Sequence, residues 1–393
     1  MNKKILAVTL AIVMCLGLLA GCGGSASNPD SGSNSNANSN ANSNADSDST
    51  YNFVVVNHDS STSMGELYVE TLFNEISEES NGRITFSYYP GGSLFSATET
   101  IDSVKDGSAD ICWSITSFFG GVFPISEFIN LPGNGINSAQ MGTAVYQAMM
   151  EEIPECAAEY GDWHVLAVHA TSIAPISTVG KKIETPSDFK GLQIRAAGTI
   201  PTMYINALGA TAIAMPTSDV YESLSKGVIA GMANDWHNID CFKLYEPIDY
   251  CLDVPVNCVA GFLFMNNDKY NALPDDLKAI FDKYCTSGFA ADMAGYWWDS
   301  CNFWVADKMR ENGVEVYEPS QELYDYMYSD ELLSGVHQSY IDYLNGFGID
   351  GQAMYDKCME IVSRYVDEYA GVFDTEFHYS DWDLSSVEEY QAK

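Results

Sequence analysis

The segment 190–250 leaves few folds open to this chain. Leu192 and Ile194 alternate with Gln193 and Arg195, the period-two pattern of a strand with one buried face. Residues 199–208 carry Met203, Ile205, Ala207 and Leu208 at helical spacing and stop at Gly209, where a left-handed C-cap belongs. Residues 210–215 form a short apolar strand. Ser218 or Asp219 caps a helix holding Val220, Tyr221 and Leu224, and Gly227 ends it. Residues 228–233 are apolar again and run straight into Asn234, Asp235 and Trp236. Polar groups therefore collect at strand ends, where open α/β sheets bind ligands.

The same alternation precedes this segment. A strand at 53–56 ends in His58, Asp59 and Ser60, and a helix follows at 64–80. Asn81 and Gly82 turn the chain into a strand at 83–89, and Pro90, Gly91 and Gly92 turn it again. A helix at 98–106, stopped by Gly107, leads to a strand at 109–113 with Ser114 and Thr116 beyond it. Strand and helix in alternation imply a parallel sheet with helices on both faces. Residues 118–132 are rich in aromatic residues and glycine, 140–161 are helical and 163–169 form another strand. The chain crosses into a second lobe near 170–177 and returns through 254–265. After Pro274 helical faces dominate, at 275–286, 289–312, 324–344 and 354–369, with Val316 in a short strand between them. The expected organisation is one lobe from 51–175 and 254–393, braced by the long helices, and a second lobe from 176–253. The tail 370–393 carries no pattern that assigns it a role.

The amino terminus is a separate matter. Lys3 and Lys4 precede an apolar run at 5–20 that is short for a membrane span and has the layout of a signal peptide. Its end, Leu19, Ala20, Gly21 and Cys22, resembles a bacterial lipoprotein cleavage site. That implies removal of 1–21 and a lipid on Cys22. An ordinary secretory signal with an incidental cysteine is the alternative. Residues 22–50 are nearly all Ser, Asn, Ala, Gly and Asp and cannot bury a core, so they read as a flexible tether. A long tether suits a Gram-positive surface, at the extracytoplasmic face of the cell membrane.

Charge narrows the partners. Without Lys3 and Lys4, 16 basic residues remain against 54 acidic ones, a net charge of −38. Nucleic acid and anionic lipid headgroups are poor partners for such a surface. Arg195 is one of four arginines in the chain. A structural salt bridge is the plain reading of such a residue. The functional one is a grip on a carboxylate, which the planar guanidinium suits and which the acidic surroundings would otherwise repel. The cysteines Cys112, Cys156, Cys241, Cys251, Cys258, Cys285, Cys301 and Cys358 show no CxxC pair or Cys/His spacing of a zinc site. They are expected to be mostly free buried thiols, with one bridge open among Cys241, Cys251 and Cys258. No metal or cofactor is expected.

Three runs are familiar in combination: DFKGLQIRAAG, then ALGATAIAMPTSDVYESLSKGVIAGMAN, then FKLYEPIDY. They resemble the solute-binding proteins of tripartite ATP-independent periplasmic (TRAP) transporters, of the dicarboxylate-binding (DctP) type. NGRITFSYYPGGSLFSATETIDSVKDGSADI matches the same family's first-domain pattern. The resemblance covers about 51–284 well and the remainder weakly. It implies a two-lobed α/β fold of the periplasmic-binding-protein kind, with hinge strands and C-terminal bracing helices. It also implies a receptor that closes on a small organic acid and delivers it to small and large permease subunits driven by an ion gradient. By the same resemblance Arg195 grips the carboxylate and Asn234 matches the family's asparagine. Asp235 and Trp236 stand where members often have proline, and Pro175 falls where sialic acid binders carry a second arginine. A sialic acid ligand is thereby disfavoured.

From the first lobe, His58, Trp113 and Ser114 end strands facing the interlobe cleft, and Phe118 and Trp236 are candidates to sandwich the ligand body. Core packing is the alternative for each aromatic. An enzyme reading finds no GxSxG elbow, P-loop or HExxH helix. A lipoprotein receptor for an ABC importer or a sensor kinase remains the second hypothesis and an extracellular hydrolase the third.

Overall fold

The computed structural model describes residues 49–392. The expected signal peptide at 1–21, Cys22 and nearly all of the tether lie outside the described residues. In chain order the strands are β1 (Tyr51–Asn57), β2 (Ile84–Tyr89), β3 (Ile111–Ile115) and β4 (His164–Ala170), followed by β5 (Ile176–Thr178), β6 (Gln193–Ala196) and β7 (Thr211–Ala214). Next come β8 (Gly231–Ala233), β9 (Tyr250–Leu252), β10 (Ala260–Met265) and β11 (Glu315–Tyr317). They form two sheets, ordered β2-β1-β3-β10-β4 and β11-β9-β5-β8-β6-β7.

The alternating segments pair in parallel, β1 with β2 and β3, and β6 with β7 and β8. The sheets are nevertheless mixed, which the alternation alone did not indicate. The chain leaves the first sheet through β4 and re-enters it through β10, so these neighbours run in opposite directions, as do β5 and β9 in the second sheet. The crossing segments pair with each other on the way. Thr171 N–H donates to the Val259 carbonyl at 2.8 Å, Ala174 N–H to Asn257 at 2.9 Å, and Val256 N–H to Ala174 at 3.1 Å.

The helix Phe289–Glu311 has 23 residues and is therefore about 34 Å long. It packs on helices Met64–Glu79 and Ala139–Glu152 of the first lobe and on Trp236–Cys241 of the second. Just beyond it β11 adds to the edge of the second sheet, with Glu315 opposite Tyr250. The region after 254, assigned to the first lobe by its sequence, thus also contributes a strand to the second. The helix expected over 324–344 is two helices, Gln321–Met327 and Asp330–Gly346, because Ser329 leaves helical geometry and accepts from Leu332 N–H as an N-cap. The tail packs back on the long helix. Phe377 meets Tyr296, Trp382 meets Phe289, and the Tyr390 hydroxyl bonds to Asp292.

Apolar residues of both lobes merge inside: Cys112, Phe123 and Phe262 belong to the same buried cluster as Ile176, Ile194 and Tyr204. All eight cysteines among the described residues are free thiols, so the bridge left open among Cys241, Cys251 and Cys258 does not form. No helix among the described residues is long and apolar enough to cross a membrane.

Candidate functional site

Arg195 lies on β6, a strand flanked on both sides by parallel neighbours, and is 2% exposed. Four protein acceptors hold its guanidinium. Nε donates to the Met215 carbonyl at 3.1 Å, Nη1 to the Ala233 carbonyl at 3.3 Å and to Asn234 Oδ1 at 2.6 Å, and Nη2 to Thr217 Oγ1 at 3.1 Å. All four acceptors are uncharged, and no carboxylate of the described residues lies within salt-bridge distance. Burial pushes the guanidinium down to about 10, against the pull of Asp235. Asn234 follows β8 directly, and its Nδ2 is buried with no hydrogen-bond partner among the described residues.

His58, Trp113 and Phe118 come together on the first lobe. The His58 ring stacks on Trp113 at 5.1 Å and meets Phe118 edge-on at 4.8 Å. Trp113 is locked from below, its Nε1–H donating to His169 Nε2 at 2.9 Å. Burial lowers the His58 pKa in spite of neighbouring Asp59, and lowers His169 to about 4. His58 and Phe118 line a cavity of about 220 Å³ together with Gly91, Gly92, Thr217 and Phe242. The cavity therefore lies between loops that end strands of both sheets. Close by, Gly198, at φ +77°, lies so near Ser117 that an added Cβ would meet its carbonyl oxygen and Cβ at 3.0 Å. The lobes touch there, and the site is closed.

Of the expected residues His58 and Phe118 line this cavity; Arg195, Asn234 and Trp113 do not, and neither do Ser114 and Trp236. Ser114 sits within β3, opposite Phe262, buried with its Oγ unpartnered among the described residues, and it does not line this cavity. Trp236 starts the helix Trp236–Cys241 and lines another cavity, of about 360 Å³, with Ile173, Pro255 and Phe303. Phe242, rather than Trp236, shares a cavity with Phe118.

The sequence reading missed a second contact between the lobes. Asp59, just past β1, accepts at Oδ2 from His237 Nε2 on the helix Trp236–Cys241, at 2.8 Å, and both side chains are within 2% of complete burial. Burial works against both charges. His58 and His237 outweigh it at Asp59 and hold that carboxylate below its ordinary value, while Asp59 and Asp235 raise His237. Asp235 caps the same helix, accepting from Asn238 N–H at 3.0 Å, and burial raises its own pKa. Strand-end position, the signal that picked out His58, applied equally to Asp59 and Thr217.

Residues 54–329 match the family described as bacterial extracellular solute-binding protein, family 7 (DctP). A solute-binding protein of Albidiferax ferrireducens is 24% identical over 178 residues, covering 45% of this chain and 52% of the relative. The C4-dicarboxylate-binding protein DctB of Bacillus subtilis is 25% identical over 206 residues, covering 50% and 55%. The chain thus spans about half the length of these curated relatives. Among solved structures, a TRAP solute-binding protein from a marine metagenome, specific for aromatic acid ligands and bound to 3-hydroxybenzoate, has a TM-score of 0.76 and 26% identity, with 81% of this chain and 99% of that chain covered. A TRAP solute-binding protein of Rhodoferax ferrireducens, bound to copurified benzoate, has a TM-score of 0.75 at 24% identity, with coverages of 82% and 100%, a likeness of fold. The family match takes in well over half the chain, and the two mixed sheets joined by paired crossing segments agree with it: the chain belongs to the DctP family of bacterial extracellular solute-binding proteins, the receptors of TRAP transporters.

Proposed function

We propose that this chain is an extracytoplasmic receptor that captures a small organic acid by closing its lobes and delivers it to TRAP membrane subunits. The closing bodies are 51–175 with most of 254–393, and 176–253 with β11. The observation that carries the reading is Arg195, a buried cation fixed by four uncharged acceptors at the lobe junction. A guanidinium has five N–H groups, so one on Nη2 remains for a ligand. A carboxylate there would neutralise the charge and gain charge-assisted hydrogen bonds away from water. Asn234 Nδ2 is a second donor beside it. His58 and Phe118, with Trp113 stacked behind His58, form an aromatic wall for the ligand body, which favours a flat or aromatic acid, in line with the 3-hydroxybenzoate held by the marine relative. Ser114 and Trp236 act one layer back in this reading. Closure is driven by contacts that exist only when the lobes meet. The family match ranks this above a receptor for an ABC importer or a sensor kinase, and the family's members are transport receptors rather than enzymes.

The receptor is held at the outer membrane face by lipid on Cys22, a reading supported by the sequence Leu19, Ala20, Gly21 and Cys22. Incorporation of labelled palmitate that is lost in Cys22→Ser checks it. The ligand reading is tested by thermal shift of the full chain against organic acids and their neutral amide analogues. Ligand at a hundred times its Kd adds about 2.7 kcal/mol of stability. The expected result is stabilisation by one class of acid, none by the amides, and loss of the effect in Arg195→Ala. Equal stabilisation of Arg195→Ala rejects the grip.

A further inference from the structure

Asp59, His237 and Cys241 make no contact with the Arg195 guanidinium, yet they assemble at the lobe junction from both sides. His237 and Cys241 are four residues apart on the helix Trp236–Cys241 and so share one face. Asp59 reaches them from the end of β1. His237 Nε2 is 2.8 Å from Asp59 Oδ2 and 4.0 Å from Cys241 Sγ, and the three donor atoms all lie within 4.8 Å of one another. Carboxylate and thiol therefore approach the same ring nitrogen. A nucleophile–base relay would place them on opposite nitrogens of the ring. Three donors around one point is instead the arrangement of ligands about an ion.

Two further observations point the same way. Asp59 is 1% exposed, and its Oδ1 makes no hydrogen bond among the described residues, its near neighbour being His58 Nε2 at 3.4 Å. Cys241 is a free thiol, and its sulfur has only weak contacts at 4.0 Å, to His237 and Asn238. We infer that Asp59, His237 and Cys241 bind one divalent metal ion of the zinc type and that the ion ties the two lobes together.

The ligand set decides the class of metal. Thiolate and imidazole with one carboxylate suit zinc and its neighbours, whereas calcium and magnesium take oxygen ligands. Bond lengths of about 2.0–2.3 Å around a tetrahedral ion put its ligand atoms roughly 3.3–3.7 Å apart. The oxygen–nitrogen pair must then open by about half an ångström, and the sulfur must close by about half an ångström on His237 Nε2 and by up to about 1.2 Å on the Asp59 carboxylate. Binding expels the Nε2 proton of His237 and the thiol proton of Cys241. Two protons leave as the ion's two positive charges arrive, so the net charge of the site is unchanged, and the Asp59 carboxylate and the Cys241 thiolate balance the ion. Sequence spacing shows only the His237 and Cys241 pair, because Asp59 lies 178 residues from His237.

The test is a titration of the full chain with cobalt(II) alone, with no organic acid present. The expected result is one equivalent bound, with a near-ultraviolet thiolate-to-cobalt charge-transfer band and the visible bands of tetrahedral cobalt, all bleached by zinc. Cys241→Ser should lose the charge-transfer band and Asp59→Asn should weaken binding at least tenfold. Cys258→Ser and Arg195→Ala should keep the band. Because Arg195→Ala keeps the metal signal while losing organic acid binding, failure of one reading is distinguishable from failure of the other. Should Cys241→Ser not fold by circular dichroism, His237→Gln is read in its place, with loss of the tetrahedral visible bands as the expected outcome. Absence of a thiolate band in the unaltered chain, its survival in Cys241→Ser, or tetrahedral bands in His237→Gln overturns the assignment.

Discussion

Thr217 measures how far the grip of Arg195 depends on its setting. Its hydroxyl accepts from Nη2 and its side chain lines the interlobe cavity. Thr217→Val keeps the shape and removes the acceptor, leaving a buried N–H of a charged group without its partner, at a cost of about 1.5–3 kcal/mol. Organic acid binding measured by calorimetry should weaken by at least tenfold, while the far-ultraviolet spectrum stays unchanged. Unaltered affinity would mean that the carboxylate itself supplies all the fixing the guanidinium needs. Arg195 was legible in the sequence because it is one of four arginines and ends a recognisable strand. Its acceptors at 215, 217, 233 and 234 were less so. Asn234 was found by its position after β8, but Met215 and Ala233 serve through backbone carbonyls that any residue there would offer, and Thr217 through a hydroxyl that nothing in its neighbourhood of the sequence ties to Arg195.

At the scale of elements, the two glycines flanking the helix Thr199–Ala207 separate local strain from lobe closure. Gly198 and Gly209 both have positive φ, at +77° and +95°. A Cβ on Gly209 meets nothing within 4 Å, whereas one on Gly198 meets Ser117 of the other lobe. Alanine brings backbone strain at both, about 1–2 kcal/mol at the left-handed Gly209 and about 1–3 kcal/mol at Gly198, whose ψ of −167° puts it in a region essentially reserved for glycine. Gly198→Ala should also hold the lobes apart, lowering ligand affinity about tenfold or more and enlarging the radius seen by small-angle scattering. Gly209→Ala should lower the melting temperature and leave affinity unchanged, and a matching loss of affinity there would refute the separation. Helix stops at Gly209 and Gly227 were legible because such caps are local, whereas Asp219 precedes its helix without a side-chain cap bond and the break at Ser329 was not foreseen. Strand direction was not. The antiparallel placement of β10 and β5 follows from the chain's return across the junction, a property of the path and not of any segment.

At the scale of the whole molecule, acidity makes stability depend on pH. Burial raises Glu66 and Glu127 to about 7 and Asp253 to about 6, whereas unfolded carboxyls titrate near 4. Glu66 Oε1 and Glu127 Oε2 are buried without partners among the described residues, as protonated carboxyls tolerate. Between about pH 4 and 7 the folded chain therefore holds protons that the unfolded chain has released, and stability falls as pH rises through that window. The net charge of −36 acts in the same direction, since protonation relieves repulsion. The melting temperature by circular dichroism should be higher at pH 5.5 than at pH 8, and the reverse order would contradict the burial of these acids. The sequence by itself determined the alternating strands and helices, the caps, the excess of acid and the arginine at a strand end, since each is set by the order of neighbouring residues. Only the tertiary structure decided that Phe242 shares a cavity with Phe118 while Trp236 turns to another, that β11 joins the second sheet, and that Asp59 meets His237 and Cys241. Those contacts join residues far apart in the chain, and their partners are chosen by how the two lobes close.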